Sequence, residues 1–174
     1  MVLQGQRCAL RRWRTEDASS LVLHANNLNV ARHLRDRFPH PYTRTDAQAF
    51  LKATSTADPQ TNFAIDVNGE SVGGLGYVPG TDVERYSAEV GYWLGETCWG
   101  RGIATEALRL FTEHAFTDLR FLRLFAVPLA DNMASVRVLE KCGFSLEGRL
   151  RGHTEFPNLV PIEPRDVLCF ATLL

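Results

Sequence analysis

Cysteine is scarce in this chain, with four in 174 residues (Cys8, Cys98, Cys142, Cys169), no Cys-x-x-Cys pair and no histidine at metal-ligand spacing. That excludes a disulfide framework and a zinc site, and it points to a reducing, cytoplasmic location. Long apolar runs are missing as well: none approaches the ~18 residues of a membrane span. The stretch from Met1 to Trp13 carries Arg7, Arg11 and Arg12 but no hydrophobic core of a secretion signal. Charge of one sign is also lacking, since 19 Lys+Arg against 20 Asp+Glu leave a net charge of -1. No global basic field exists to hold nucleic acid or an anionic membrane, so any anion site is local. There is no internal repeat and no linker rich enough to divide the chain. One domain over residues 1–174 is expected, and 45% hydrophobic residues suffice for a core.

Periodicity gives the elements. Residues 8–14 suit a short strand, after which Thr15 is expected to cap a helix carrying Ala18, Leu21, Val22 and Ala25 at helical spacing. A second helix is expected from Asn29 to Arg37, ending before Phe38-Pro39-His40-Pro41-Tyr42, where prolines disfavour helix. Thr45 is expected to cap a third helix, reaching Ala57 ahead of Asp58-Pro59. The period then switches to that of strands, with Asn68-Gly69 between two apolar runs as a hairpin signal and a third strand over Ser87–Gly95. A helix with Ile103, Ala107, Leu108, Phe111 and Ala115 on one stripe follows Trp99-Gly100-Arg101-Gly102. A strand at residues 122–127, a helix starting at Asp131-Asn132 and closed by Gly143, and strands near 145–155 and 166–173 complete the chain. The pattern predicts an α/β (α+β) chain of about seven strands.

Gly100-Arg101-Gly102 lies at a strand-to-helix junction, where glycine lets the backbone approach an anion and the helix start offers unpaired N–H groups. A tight turn that needs glycine only for its dihedrals accounts equally well for the pattern. Arg101 and Thr105 favour the anion, as both can hydrogen-bond phosphate. Two familiar cradles do not fit: no Gly-Lys-Ser/Thr closes a Walker loop, and Thr105 occupies the third glycine position of a dinucleotide fingerprint.

Glu89-Val90-Gly91-Tyr92-Trp93-Leu94, Trp99 through Ala107, Asn132-x-x-Ser135 and Glu140-Lys141-Cys142-Gly143-Phe144 together resemble the GNAT superfamily of acetyl-CoA-dependent N-acetyltransferases, in particular its RimJ/RimL-like branch. The resemblance spans nearly the whole chain. Trp99 stands where the broad superfamily signature has Arg or Gln, a replacement common in that branch. The resemblance implies a mixed and mostly antiparallel sheet with helices on both faces, acetyl-CoA as cosubstrate and no metal. It implies that backbone amides over Trp99, Gly100, Arg101, Gly102, Ile103, Ala104 and Thr105 hold the CoA pyrophosphate. Trp93 and Leu94 would pair their backbone with pantetheine at a splay between that strand and the one around Leu124, and Asn132 would contact the pantetheine arm. It leaves a homodimer open.

Acetyl transfer to an amine needs a deprotonated amine, a stabilised oxyanion and a proton for the leaving thiolate. Glu89, just before Val90-Gly91-Tyr92, is the candidate base, set against an ordinary strand carboxylate. Ser135 is the candidate acid near the CoA sulfur, set against a solvated residue behind an Asn132 N-cap. Phe38, His40 and Tyr42 are candidates for the acceptor cleft, although an aromatic-proline loop is also routine surface packing. The acceptor is a primary amine, either a protein N-terminal α-amine or a small molecule such as an antibiotic, polyamine or amino acid. A non-catalytic acyl-CoA-binding module is the rival from another class.

Overall fold

The structure, a computed structural model, describes residues 2–174. In chain order the elements are β1 (Val2–Gln4), β2 (Ala9–Arg11), α1 (Ala18–Ala25), α2 (Leu28–Ala31), α3 (Arg44–Thr54), β3 (Asn62–Val67), β4 (Glu70–Pro79), β5 (Ser87–Leu94), α4 (Ile103–Thr117), β6 (Arg123–Ala126), α5 (Met133–Lys141), β7 (Ser145–Thr154) and β8 (Arg165–Leu173). The strands form one sheet of eight, ordered β1-β2-β3-β4-β5-β6-β8-β7. Every neighbouring pair is antiparallel except β5 with β6. The eighth strand, beyond the seven expected, is β1, whose three residues bury only Leu3 in part and so leave no readable alternation.

Each sheet face carries its own apolar core. On one, Phe63, Leu75, Val90 and Leu124 pack under Ile103, Leu108 and Phe111 of α4 and Leu139 of α5. On the other, Trp13 and Ala64 pack under Leu21 of α1 and Leu51 of α3. β5 alternates between the two: Ala88, Val90, Tyr92 and Leu94 join the first core, whereas Trp93 packs on the second. That alternation decides which side chains the site can use.

Turn chemistry at several junctions is as the residues dictate. Asn68 and Gly69 both have positive φ (54° and 90°), as a two-residue hairpin turn requires. Gly143 (φ 82°) closes α5, with the Phe144 N–H on the Leu139 carbonyl at 3.0 Å and its own N–H on Glu140 at 3.1 Å, the double bond of a Schellman cap. Three expected helix boundaries move. Thr15 opens a 3₁₀ turn, Thr15–Asp17, rather than capping α1; the Asp17 carboxylate accepts the Arg14 N–H at 2.8 Å. The helix expected over 29–37 is the single turn α2, capped by Asn27, because Arg32, Arg35, Asp36 and Arg37 are exposed and no apolar stripe extends it. Thr43, not Thr45, caps α3, exchanging hydrogen bonds with Asp46 at the third helical position.

Candidate active site

The site forms where the sheet fails to close. β5 pairs with β6 at Ser87–Arg123, Ala88–Leu124 and Glu89–Phe125 only, although β5 runs on to Leu94. Beyond Glu89 the two strands part. On its other side β5 follows β4 throughout, with the Gly80 N–H on the Ser87 carbonyl and the Gly95 N–H on the Val72 carbonyl, both at 2.8 Å. Since backbone direction alternates along an antiparallel strand, the odd-numbered residues of β5 face β4, and the N–H and C=O groups of Tyr92 and Leu94 face the gap. The backbone of Trp93 is therefore turned to β4, so the expected pairing of Trp93 with pantetheine does not fit this register. The Leu94 carbonyl is occupied too, since it accepts the Trp99 indole N–H at 2.7 Å. The Tyr92 backbone and the Leu94 N–H are the groups left facing the gap.

One turn further on, Gly100 (φ 73°) and Gly102 (φ 76°) adopt the left-handed conformation that L side chains resist. Space does not require glycine here: a Cβ on Gly100 would meet nothing within 4 Å, and one on Gly102 only Arg7. Gly102 is the N-cap of α4, and the first helical bond runs from the Glu106 N–H to the Gly102 carbonyl at 3.0 Å. Among the described residues, none of the six N–H groups from Gly100 to Thr105 meets a protein acceptor. A row of six amides at a helix start, next to unpaired strand edge, fits a diphosphate joined to an amide-bearing arm. Of the side chains here, Ile103 is buried in the core, Ala104 and Thr105 are half-buried, and Arg101 is exposed.

Tyr92 and Ser135 meet on the α5 side of the sheet. The Tyr92 hydroxyl lies 2.9 Å from Ser135 Oγ and 3.2 Å from the Ser135 carbonyl, and burial pushes this phenol above its ordinary pKa. The Asn132 carboxamide oxygen accepts the Ser135 N–H at 3.2 Å, capping α5. Glu89 lies on the opposite face, half-buried, with its carboxylate paired to the Arg35 guanidinium. Between Glu89 and Trp93 on that face is Gly91, whose absent side chain leaves open space.

The loop after α2 overhangs the same face. Phe38 stacks edge-on to Trp93 (5.2 Å between centroids) and tilts on Tyr42 (5.1 Å). Phe38 and His40 are half-buried, and His40 Nδ1 has no partner among the described residues. Tyr42 does not line a cleft: it is only 4% exposed, sits in the core beneath Phe38, and burial, aided by the Asp46 charge, pushes its phenol up to about 12. Tyr92 and Arg35 had no role in the sequence reading. Strand parity already separates Tyr92 from Glu89 and gives it to the helix side, whereas nothing in the residue spacing joins Arg35 to Glu89.

A family model described as an acetyltransferase (GNAT) domain matches residues 7–145. The protein named uncharacterized N-acetyltransferase p20 of Bacillus licheniformis is 29% identical over 154 residues, 87% of this chain and 86% of its own length. Spermidine N(1)-acetyltransferase of Escherichia coli (strain K12) is 29% identical over 139 residues, 76% of this chain and 69% of that one. Among solved structures, Mycobacterium smegmatis RimJ in complex with CoA-disulfide superposes with a TM-score of 0.83 at 28% identity, covering 99% of this chain and 84% of RimJ. The chain belongs to the GNAT family and is an acetyl-CoA-dependent N-acetyltransferase. No metal-binding group of three or more His, Cys, Asp or Glu exists among the described residues, and no helix among them is long and apolar enough to cross a membrane.

Proposed function

We propose that this chain, as one domain over residues 1–174, acetylates the α-amine of a protein N-terminus by direct attack in a ternary complex, in the cytoplasm. Acetyl-CoA supplies the activated acyl group. The amides from Gly100 to Thr105 hold its diphosphate, the Tyr92 backbone and the Leu94 N–H hold its pantetheine arm, and Asn132 flanks that arm. Phe38 and His40 border the amine. Glu89 takes the amine proton, directly or through a water, when the incoming cation displaces Arg35. Ser135 donates a hydrogen bond to the sulfur as the C–S bond breaks. The wide spacing of the four cysteines, with no Cys-x-x-Cys pair, supports a reducing compartment.

One observation carries this reading: Glu89 and the Tyr92–Ser135 pair lie on opposite faces of β5, to either side of the gap where pairing with β6 has stopped. A thioester in that gap would present its carbonyl carbon to the face with the base and its sulfur to the face with the hydroxyls. The α-amine is favoured over a polyamine on electrostatic grounds. The segment that bears Arg35 also carries Arg32 and Arg37 against a single Asp36, a field that disfavours a polycation. An α-amine, with a pKa near ~8 rather than ~10.4, also needs less help from a base that is itself ion-paired. Thiol release from acetyl-CoA with a panel of N-terminal peptides, spermidine and amino acids tests this. The expected result is turnover on peptides at least 10-fold faster than on spermidine. Preference for spermidine would move the assignment to the small-molecule reading that the E. coli relative favours. Acetyl-CoA binding without turnover on any amine would favour the non-catalytic module.

A further inference from the structure

The turn between β1 and β2 is seated on a helix that begins about a hundred residues later. The Gly5 N–H donates to the Cys8 carbonyl at 2.9 Å. The N–H groups of Gln6, Arg7 and Cys8 then all donate to the Glu106 carboxylate, at 3.2, 2.6 and 2.9 Å. Glu106 stands in the first turn of α4. Burial works to raise its pKa, but the three backbone donors outweigh burial and hold it below the ordinary carboxylate value. The fit is close: a Cβ on Gly5 would stand 2.7 Å from Glu106 Oε2 and 2.9 Å from the Cys8 carbonyl. Cys8 Sγ adds a contact to the Ile103 carbonyl at 3.7 Å.

This seat aims one side chain at the glycine turn. Arg7 Nε and Cδ lie 3.6 and 3.7 Å from where a Cβ on Gly102 would be, so the guanidinium stem runs along the open flank of the residue that heads α4. Arg7 is 59% exposed, and its one carboxylate neighbour among the described residues is Glu106 Oε1 at 3.8 Å, an oxygen that already accepts the Gln6 N–H. Its side chain makes no hydrogen bond among the described residues. A planar cation with free donors thus borders a row of amides without acceptors, held there by a turn that its own backbone anchors.

We propose that Arg7 is a ligand of the CoA diphosphate, closing over the outer side of the oxygens that the Gly100–Thr105 amides hold from below. The proposal rests on the acetyl-CoA reading above and adds to it a residue from a different part of the chain. The guanidinium fork matches two phosphate oxygens, and its charge offsets the Glu106 carboxylate that would otherwise repel an anion at this helix start.

The test is isothermal titration of the full-length protein with CoA and with 3′-dephospho-CoA, for wild type, Arg7→Gln and Arg7→Lys, with a melting curve for each. Arg7→Gln is expected to weaken both ligands by the same factor, about 10-fold, as the loss of one charge-assisted hydrogen bond implies. Arg7→Lys, which keeps the charge but not the fork, is expected to weaken both by about 3-fold. Unchanged affinity in both variants overturns the proposal. A loss seen with CoA but not with 3′-dephospho-CoA overturns it as well, because the contact would then be to the 3′-phosphate. Wild-type protein that binds neither ligand overturns the acetyl-CoA reading itself, a different failure.

Discussion

At the scale of single residues, the two faces of β5 separate two functions that mutation can address independently. Replacing Glu89 by Gln removes the base while keeping its size, and kcat is expected to fall ~10²-fold near neutral pH with little change in acetyl-CoA binding. A wild-type rate and pH profile in that variant would hand the base role to solvent. On the other face, Tyr92→Phe deletes only the hydroxyl that touches Ser135. Burial raises the Tyr92 pKa, so the phenol keeps its proton and its hydroxyl stays hydrogen-bonded to Ser135, which it orients. A thiolate with a pKa near ~8.5 leaves without an obligatory acid, so Tyr92→Phe and Ser135→Ala are each expected to cost only about 3- to 10-fold in kcat. The double variant is expected to be no worse than Ser135→Ala alone, since the two act as one unit. Additive losses in the double variant would mean that Tyr92 acts on the substrate by itself.

At the scale of elements, the glycine turn works through dihedrals rather than space. Gly102→Ala forces a residue with a Cβ to φ 76°, at a cost of about 1 kcal/mol in stability. The loss of affinity for acetyl-CoA is expected to exceed that, because escape to negative φ re-aims the amides; calorimetric binding and a melting curve on one sample check both. Thr43→Ala removes the α3 cap and is expected to cost about 1 kcal/mol with no change in kcat, read as a shift in the unfolding midpoint. The same local physics explains what was legible in the sequence. Asn68-Gly69, Gly143 and the Gly100–Gly102 turn each need a backbone conformation that few residues adopt, so their positions show without tertiary context. Thr15 and Thr45 misled because threonine caps well at any of several neighbouring positions: Thr15 instead opens a 3₁₀ turn in which the Asp17 carboxylate accepts the Arg14 N–H, and α3 is capped by Thr43, which exchanges hydrogen bonds with Asp46 three residues on. The Glu89–Arg35 pair joins residues 54 apart. The seat of the β1–β2 turn joins residues about 100 apart. Neither has a local signature.

Over the whole molecule, a buried ion cluster ties β2 and the turn that follows it to β3. Arg11, 4% exposed, reaches Asp17 through both Nη atoms at 2.7 and 2.8 Å and Asp66 through Nε at 2.7 Å. Removing the cation, as in Arg11→Leu, strands two carboxylates and is expected to cost about 3–5 kcal/mol. Burial alone would raise the Asp17 pKa, but the Arg11 guanidinium and the Arg14 N–H outweigh it and hold Asp17 below its ordinary value. A depressed folded pKa contributes stability that is complete above the unfolded value near ~3.9 and is lost as pH falls below it through the folded pKa. Glu106 is depressed too, so both lose their contribution in the same acid range. The melting temperature is expected to be flat from neutral pH to about 5 and to fall steeply below ~4, less steeply in Asp17→Asn. A pH-independent melting temperature through that range would contradict the cluster's role.

The early end of the β5–β6 pairing also sets clocks within the sheet. An amide paired to a neighbouring strand exchanges its hydrogen with solvent only when that region opens, whereas one that faces a gap exchanges without waiting. Within a single strand, Gly91 and Trp93, turned to β4, should therefore retain their protons far longer than Tyr92 and Leu94, turned to the gap. Adding CoA should slow the fast pair and leave the slow pair nearly unchanged, so that an odd–even rhythm along four residues reports, without any chemistry, when a ligand has taken the place of a strand.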